Sequence, residues 1–156
     1  MNKLILTVGL PRSGKSTWAL EQGVPVVAGD AIRLALFGKL WWEPGEHQIM
    51  ATARTMVRSL FFAGHSVVIF DSLNVTKASR RFWLPTSDCM WDLDYKVIGE
   101  KPKVCIDRAI KSHQVYLIPV IERAVSEWQQ PGFDKKILKY GTKDSWNEWD
   151  FFKEGD

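Results

Sequence analysis

Cysteine is nearly absent from this chain. Cys89 and Cys105 are the only two among 156 residues, and they form neither a C-x-x-C pair nor a disulfide framework. They read as reduced thiols of a cytoplasmic protein. Histidine is almost as scarce. His65 and His113 have no partner at metal-ligand spacing, and His47 reads as a surface residue, so no zinc centre is expected. Long apolar runs are missing as well: no stretch approaches the roughly 20 residues of a membrane-spanning helix. Met1-Asn2-Lys3 leads directly into an apolar run, which predicts no signal peptide. Internal repeats, linkers and low-complexity tracts are also absent. Neither sign of charge dominates. Lysine and arginine number 21 against 18 acidic residues, a net +3 that suits phosphate-rich partners without demanding them.

What is present is enough apolar residue for a core. At 46% hydrophobic and 25% charged, the composition is that of a globular chain rather than a disordered one. The length predicts a single domain over residues 1–156, with a core over about 1–130 and a tail from about 131 packed back on it.

The most informative segment is Gly9-Leu10-Pro11-Arg12-Ser13-Gly14-Lys15-Ser16-Thr17. It fits G-x-x-x-x-G-K-S, a loop whose backbone N–H groups surround phosphates. Its flanks fit too. The apolar run 4–8 reads as a buried strand, and 18–22 as a helix. Gly9, Pro11, Arg12, Ser13, Gly14 and Thr17 would shape the phosphate cradle. Lys15 would reach the β- and γ-phosphates of ATP, and the Ser16 hydroxyl would bind Mg²⁺.

Beyond this loop, strands alternate with helices. Strands are predicted at 24–28, 66–70 and 94–98. Helices are predicted at 30–37, 46–63, 75–83, 103–112 and 119–128. The alternation predicts an α/β P-loop NTPase fold, adenylate-kinase-like, with a parallel sheet of about four or five strands and helices on both faces. Ligands of such sheets sit at the carboxyl ends of the strands.

Two acidic positions fall at those ends. Asp30 and Arg33 follow the second strand and lie on one helix face at i and i+3. Asp30 could take a proton from an acceptor hydroxyl, and Arg33 could bind an acceptor phosphate. The plainer account is a capping aspartate and a solvated arginine. Asp71 ends the third strand, where a carboxylate could hold Mg²⁺ through water or orient an acceptor; it could also merely cap a turn. On the 46–63 helix, Ile49, Ala53, Met56, Val57 and Leu60 cluster on one side, and His47, Arg54 and Arg58 on the other. That basic stripe is either a solvated face or a wall that tracks nucleic-acid phosphates. Trp41 and Trp42 could stack on a base or cap the core. Trp18 is expected to pack against the sheet.

In order along the chain, these blocks resemble the 5′-polynucleotide kinases of bacteriophages and related small P-loop kinases, a group that also resembles AAA-like ATPases. The matching residues are Leu4 to Ala19, Asp30-x-x-Arg33, and Val68 to Asn74 with Arg80-Arg81. Cys105-x-x-Arg108 and Ile118-Pro119-x-x-Ile121-x-Arg123 complete the series. The resemblance implies transfer of the ATP γ-phosphate to the 5′-hydroxyl of DNA or RNA. It also implies a general base at Asp30, an acceptor-phosphate contact at Arg33 and a lid over the ATP phosphates near Arg108.

Two departures stand out. Arg12 replaces a common glycine, where it could add charge near the γ-phosphate or face water. In the lid, Ala109 follows Arg108 and Ser112 stands where a second arginine is usual; Lys111, i+3 from Arg108, could stand in as a point charge. No aspartate-rich phosphatase motif is present, so no 3′-phosphatase activity is expected. Alternative readings are a small-molecule or toxin-type kinase, and an ATP-binding regulatory module without an acceptor. No membrane partner is expected, and the sequence does not speak to oligomeric state.

Overall fold

A computed structural model describes residues 1–40, 43–87 and 90–131. Trp41, Trp42, Cys89 and the predicted tail from 132 lie outside the described residues.

Four strands form one sheet: β1 (Lys3–Gly9), β2 (Val26–Ala28), β3 (Val67–Asp71) and β4 (Asp92–Ile98). All pairs are parallel, in the order β2-β3-β1-β4. Six helices connect and flank them: α1 (Lys15–Glu21), α2 (Gly29–Phe37), α3 (Glu46–Phe62), α4 (Lys77–Arg81), α5 (Pro102–Lys111) and α6 (Ile118–Glu127). Short helical turns at Glu43–Gly45 and Val115–Leu117 precede α3 and α6.

The strand order fixes where a crevice opens. From β1 the chain crosses to β2, on one side of the sheet. From β3 it crosses to β4, on the other. The two connections diverge at the neighbouring ends of β1 and β3, the topological switch point where ligands of such sheets bind.

The larger core joins Leu4, Leu6 and Val8 of β1 to Phe70 of β3 and to Ile49, Ala53 and Val57 of α3. Alternation along β1 turns position 7 to the opposite face. Trp83 fills this core, with its ring centroid 4.3 Å from that of Phe70. A smaller core joins Leu10 and Val75 to Cys105 and Ala109 of α5 and to Ile121 and Ala124 of α6. Burial pushes the Cys105 thiol up to about 11, so it stays protonated and inert near neutrality.

Several boundaries differ from the expected ones for identifiable reasons. α4 is only five residues long. Asn74 adopts φ 51° and breaks the chain direction, the carbonyl of Val75 accepts from the Gln129 amide, and Thr76 caps the helix by accepting from the Ser79 N–H. β4 begins at Asp92, two residues early; among the described strands it pairs only with β1, and Asp92 and Asp94 stay half-exposed.

α3 is rotated from its expected setting. Met56 is 42% exposed, whereas Met50 and Phe61 pack on the core. The buried stripe is therefore turned away from Met56 toward Met50 and Phe61, and Arg54 comes to its margin. Arg54 donates to the carbonyls of Phe82 and Leu84, and its guanidinium lies 4.9 Å from the Trp91 ring centroid. It clasps α3 to the segment that leads into β4. The basic stripe thus divides: Arg54 is structural, Arg58 is exposed and His47 borders the cleft described next.

Candidate active site

The loop between β1 and α1 carries two left-handed residues. Gly14 has φ 103° and Arg12 has φ 64°. The Ser13 N–H donates to the Leu10 carbonyl at 3.2 Å and closes the bend. Gly9 has no room for a side chain: a Cβ there would lie 2.8 Å from Ser13 Oγ and 2.9 Å from the Ile98 carbonyl oxygen. Ser13 Oγ is buried without a hydrogen-bond partner among the described residues. A buried hydroxyl left over in a ring of amides suits the oxygens of a phosphate.

Lys15 is buried, and its Nζ donates to the Leu10 carbonyl at 2.6 Å. Burial lowers its pKa to about 8, against the nearby charge of Asp71, which favours the ammonium. The next residue links the loop to β3: Ser16 Oγ donates to Asp71 Oδ2 at 2.6 Å. The other carboxylate oxygen, Oδ1, accepts from Thr7 Oγ1 at 2.8 Å. A hydroxyl and a carboxylate oxygen side by side at the phosphate loop form an oxygen donor set of the kind that Mg²⁺ prefers. Among the described residues no cluster of three or more His, Cys, Asp or Glu side chains could hold a metal, so any ion here would rest on this pair, phosphate and water.

Asp30 in the first turn of α2 and Arg33 one turn on stand across the cleft. The Asp30 side chain is 73% exposed, and Arg33 Nη1 donates to its Oδ1 at 2.8 Å. Arg33 is not the solvated arginine of the plainer reading, since it is buried. Its Nε and Nη2 grip the two oxygens of Glu46 at 2.8 and 2.9 Å. Burial works against the Arg33 charge, but Glu46 and Asp30 outweigh it and hold the guanidinium above its ordinary range. The edge that would fork onto an acceptor phosphate is thus engaged by Glu46. Sequence reading missed Glu46 because only the fold brings α3 back against α2. Its one signal was an acidic residue in the first turn of a helix, which alone suggests only a dipole interaction.

Arg108 reaches the cleft from α5. Its Nη1 donates to the Arg12 carbonyl at 3.1 Å and its Nη2 to Glu100 at 3.2 Å. Lys111 is exposed on α5 and is not among the residues that line the cleft. At i+3 its side chain leaves the helix about 60° away from that of Arg108. Arg12 itself is exposed. The cleft encloses about 1140 Å³, bounded by the loop from Pro11 to Trp18, Asp71, Asp30, Arg33, Glu46 and Arg108. Trp18 lines it rather than being confined to the sheet, with Lys96 Nζ 5.7 Å from its ring centroid.

A parallel sheet of this order, carrying a G-x-x-x-x-G-K-S loop after β1 and an acid at the end of β3, has the α/β P-loop NTPase fold. Solved structures share it. A chain of the Pnkp1/Rnl/Hen1 RNA repair complex superposes with a TM-score of 0.56 at 23% identity, covering 78% of this chain and 45% of that one. A chain from a second structure of the Pnkp1/Rnl/Hen1 complex gives 0.55 at 26% identity, covering 69% of this chain and 38% of its own length. The present chain therefore spans less than half of those chains. A gluconokinase from Sinorhizobium meliloti 1021 gives 0.51 at 15% identity, over 83% of this chain and 75% of that one. Shikimate kinase from Acinetobacter baumannii gives 0.50 at 12% identity, over 99% and 90%. No protein-family model and no curated protein matches the sequence.

Proposed function

We propose that this protein is an ATP-dependent phosphotransferase whose acceptor is the 5′-hydroxyl of a nucleic acid. The observation that carries the reading is the placement of the Asp30 carboxylate, exposed and held by Arg33, in the same cleft as Lys15, Ser16 and Asp71. ATP binding alone needs the last three residues and has no use for Asp30. The RNA repair chains among the structural neighbours support a nucleic-acid acceptor.

In this reading the loop amides, with Ser13 Oγ and Lys15, bind the β- and γ-phosphates of ATP. Lys15 exchanges the Leu10 carbonyl for phosphate oxygen. Ser16 and Asp71 hold Mg²⁺, which when bound offsets phosphate charge. Asp30 accepts the proton of the acceptor hydroxyl as its oxygen bonds to the γ-phosphorus and ADP departs with the electrons of the broken P–O bond. Arg108 exchanges the Arg12 carbonyl for the transferring phosphoryl group and stabilises its charge. Arg33 aims Asp30 and reaches an acceptor phosphate only by sharing its guanidinium with Glu46.

That engagement by Glu46 favours one other reading, a small-molecule kinase whose acceptor lacks a phosphate. Labelled ATP offered with 5′-hydroxyl DNA, 5′-hydroxyl RNA, a nucleoside 3′-monophosphate and a panel of sugars separates the two. Label on the oligonucleotides supports the proposal. Label on a sugar alone supports the second reading, and label on none with ATP still bound leaves a regulatory ATP-binding module.

A further inference from the structure

β1 and β3 pair in register from Lys3↔Val67 to Leu6↔Phe70. The next positions on the two strands are Thr7 and Asp71, so their side chains leave the sheet on the same face. Thr7 is fully buried. Its neighbours Leu6 and Val8 belong to the main core, and by alternation Thr7 faces away from it. A buried hydroxyl on a strand must find partners. Thr7 Oγ1 lies 2.8 Å from Asp71 Oδ1 and 3.1 Å from the Ser72 carbonyl oxygen, and it accepts from the Ser72 N–H at 3.2 Å. Having one proton, it gives it to the nearer, charged acceptor.

We propose that Thr7 is a positioning residue that fixes which oxygen of Asp71 faces the metal. This rests on the reading that Ser16 and Asp71 hold Mg²⁺. With Oδ1 bound to Thr7, the carboxylate cannot turn about its last torsion, and Oδ2 alone is presented to Ser16 Oγ at 2.6 Å. The frame behind Thr7 is also fixed. Its carbonyl accepts from Asn74 Nδ2 at 2.8 Å, and the Asn74 carbonyl accepts from the fully buried Arg80 at 2.8 Å. Backbone and side chain of Thr7 are thus both tied to the segment that carries Asp71. A valine would preserve the shape and burial of the position and lose the bond donated to Asp71 together with the one accepted from the Ser72 N–H.

The test is Mn²⁺ affinity of the ATP-bound protein, read by electron paramagnetic resonance, for wild type, Thr7→Val and Thr7→Ser. Thr7→Val is expected to weaken Mn²⁺ by roughly tenfold, the low end of what losing an outer-shell partner of a metal ligand costs. Thr7→Ser keeps the hydroxyl and should remain within about twofold of wild type. ATP affinity measured in EDTA should be unchanged in both. In an Asp71→Asn background, Thr7→Val should have no further effect on Mn²⁺. Wild-type Mn²⁺ affinity in Thr7→Val overturns the proposal, as does a Thr7→Ser protein as weak as Thr7→Val. Should Thr7→Val not fold, Thr7→Ser against Thr7→Ala makes the same comparison. A wild-type protein that binds Mn²⁺ with ATP but labels no acceptor overturns the phosphotransferase reading and leaves the role of Thr7 standing.

Discussion

Lys15 is a cation under pressure to lose its proton. Burial lowers its pKa from 10.5 to about 8, so between those values the unfolded chain carries a proton that the folded chain has shed. The Lys15 charge therefore costs the free protein stability in full below about pH 8, and the cost fades as pH rises toward 10.5. Phosphate reverses this preference, because it favours the ammonium. Binding of ATP slightly above pH 8 should then take up a proton, and affinity should fall as pH climbs through that range. Calorimetry in buffers of different ionisation enthalpy measures the uptake; its absence in the wild type, or its persistence in Lys15→Ala, contradicts this. Arg12 shows another residue-scale cost. Its φ of 64° is the glycine-favouring conformation, at a position where glycine is common in the family the sequence resembles. The left-handed penalty of about 1–3 kcal/mol exceeds the roughly 0.5–1 kcal/mol entropic cost of glycine. Arg12→Gly is expected to stabilise the protein by about 1 kcal/mol in denaturant titration; a loss of stability would mean that the arginine side chain contributes more than its backbone costs.

The elements were legible to different degrees. Each strand and helix was foreseen from apolar periodicity and turn residues, since those signals are local. Their rotations and ends were not, because partners far along the chain decide them. α3 is the clearest case. Helical spacing sorted its apolar and basic faces, but Trp83, Trp91 and Phe61 in the core drew the buried stripe toward Arg54 and left Met56 outside. Arg54 is thus a tie between elements. Arg54→Ala removes two hydrogen bonds to carbonyls and two cation–ring contacts, and should cost roughly 1–3 kcal/mol of stability. Acceptor KM should not change. A variant of unaltered stability with weakened oligonucleotide binding would restore the phosphate-tracking wall. The Asp30–Arg33 pair was legible as neighbours on one helix face. Its third member, Glu46, was not, since thirteen positions and a turn separate it from Arg33.

At the scale of the whole molecule, the diverging crossovers of β1 and β3 bring three distant segments to one crevice. The phosphate loop comes from β1, Asp71 from β3, and the Asp30–Arg33 pair from the end of β2. The sequence motif named the first, and the strand-end rule located the other two. Arg108 completes the crevice from α5 through the Arg12 carbonyl. No helix among the described residues is long and apolar enough to cross a membrane.

The whole account turns on Asp30 acting on an acceptor rather than serving only as the ion-pair partner of Arg33. Asparagine is nearly isosteric and keeps the oxygen that accepts from Arg33, so a purely structural aspartate would tolerate the change. The deciding measurement is the initial rate of label transfer from γ-labelled ATP to a 5′-hydroxyl oligonucleotide, for wild type and Asp30→Asn, with ATP affinity measured alongside. The account predicts labelled oligonucleotide with the wild type, a fall in kcat of roughly 10²–10⁴ in Asp30→Asn, and ATP affinity unchanged or slightly tighter. A variant rate within about threefold of wild type, under ~0.7 kcal/mol of barrier, would contradict it and leave Asp30 as the structural partner of Arg33.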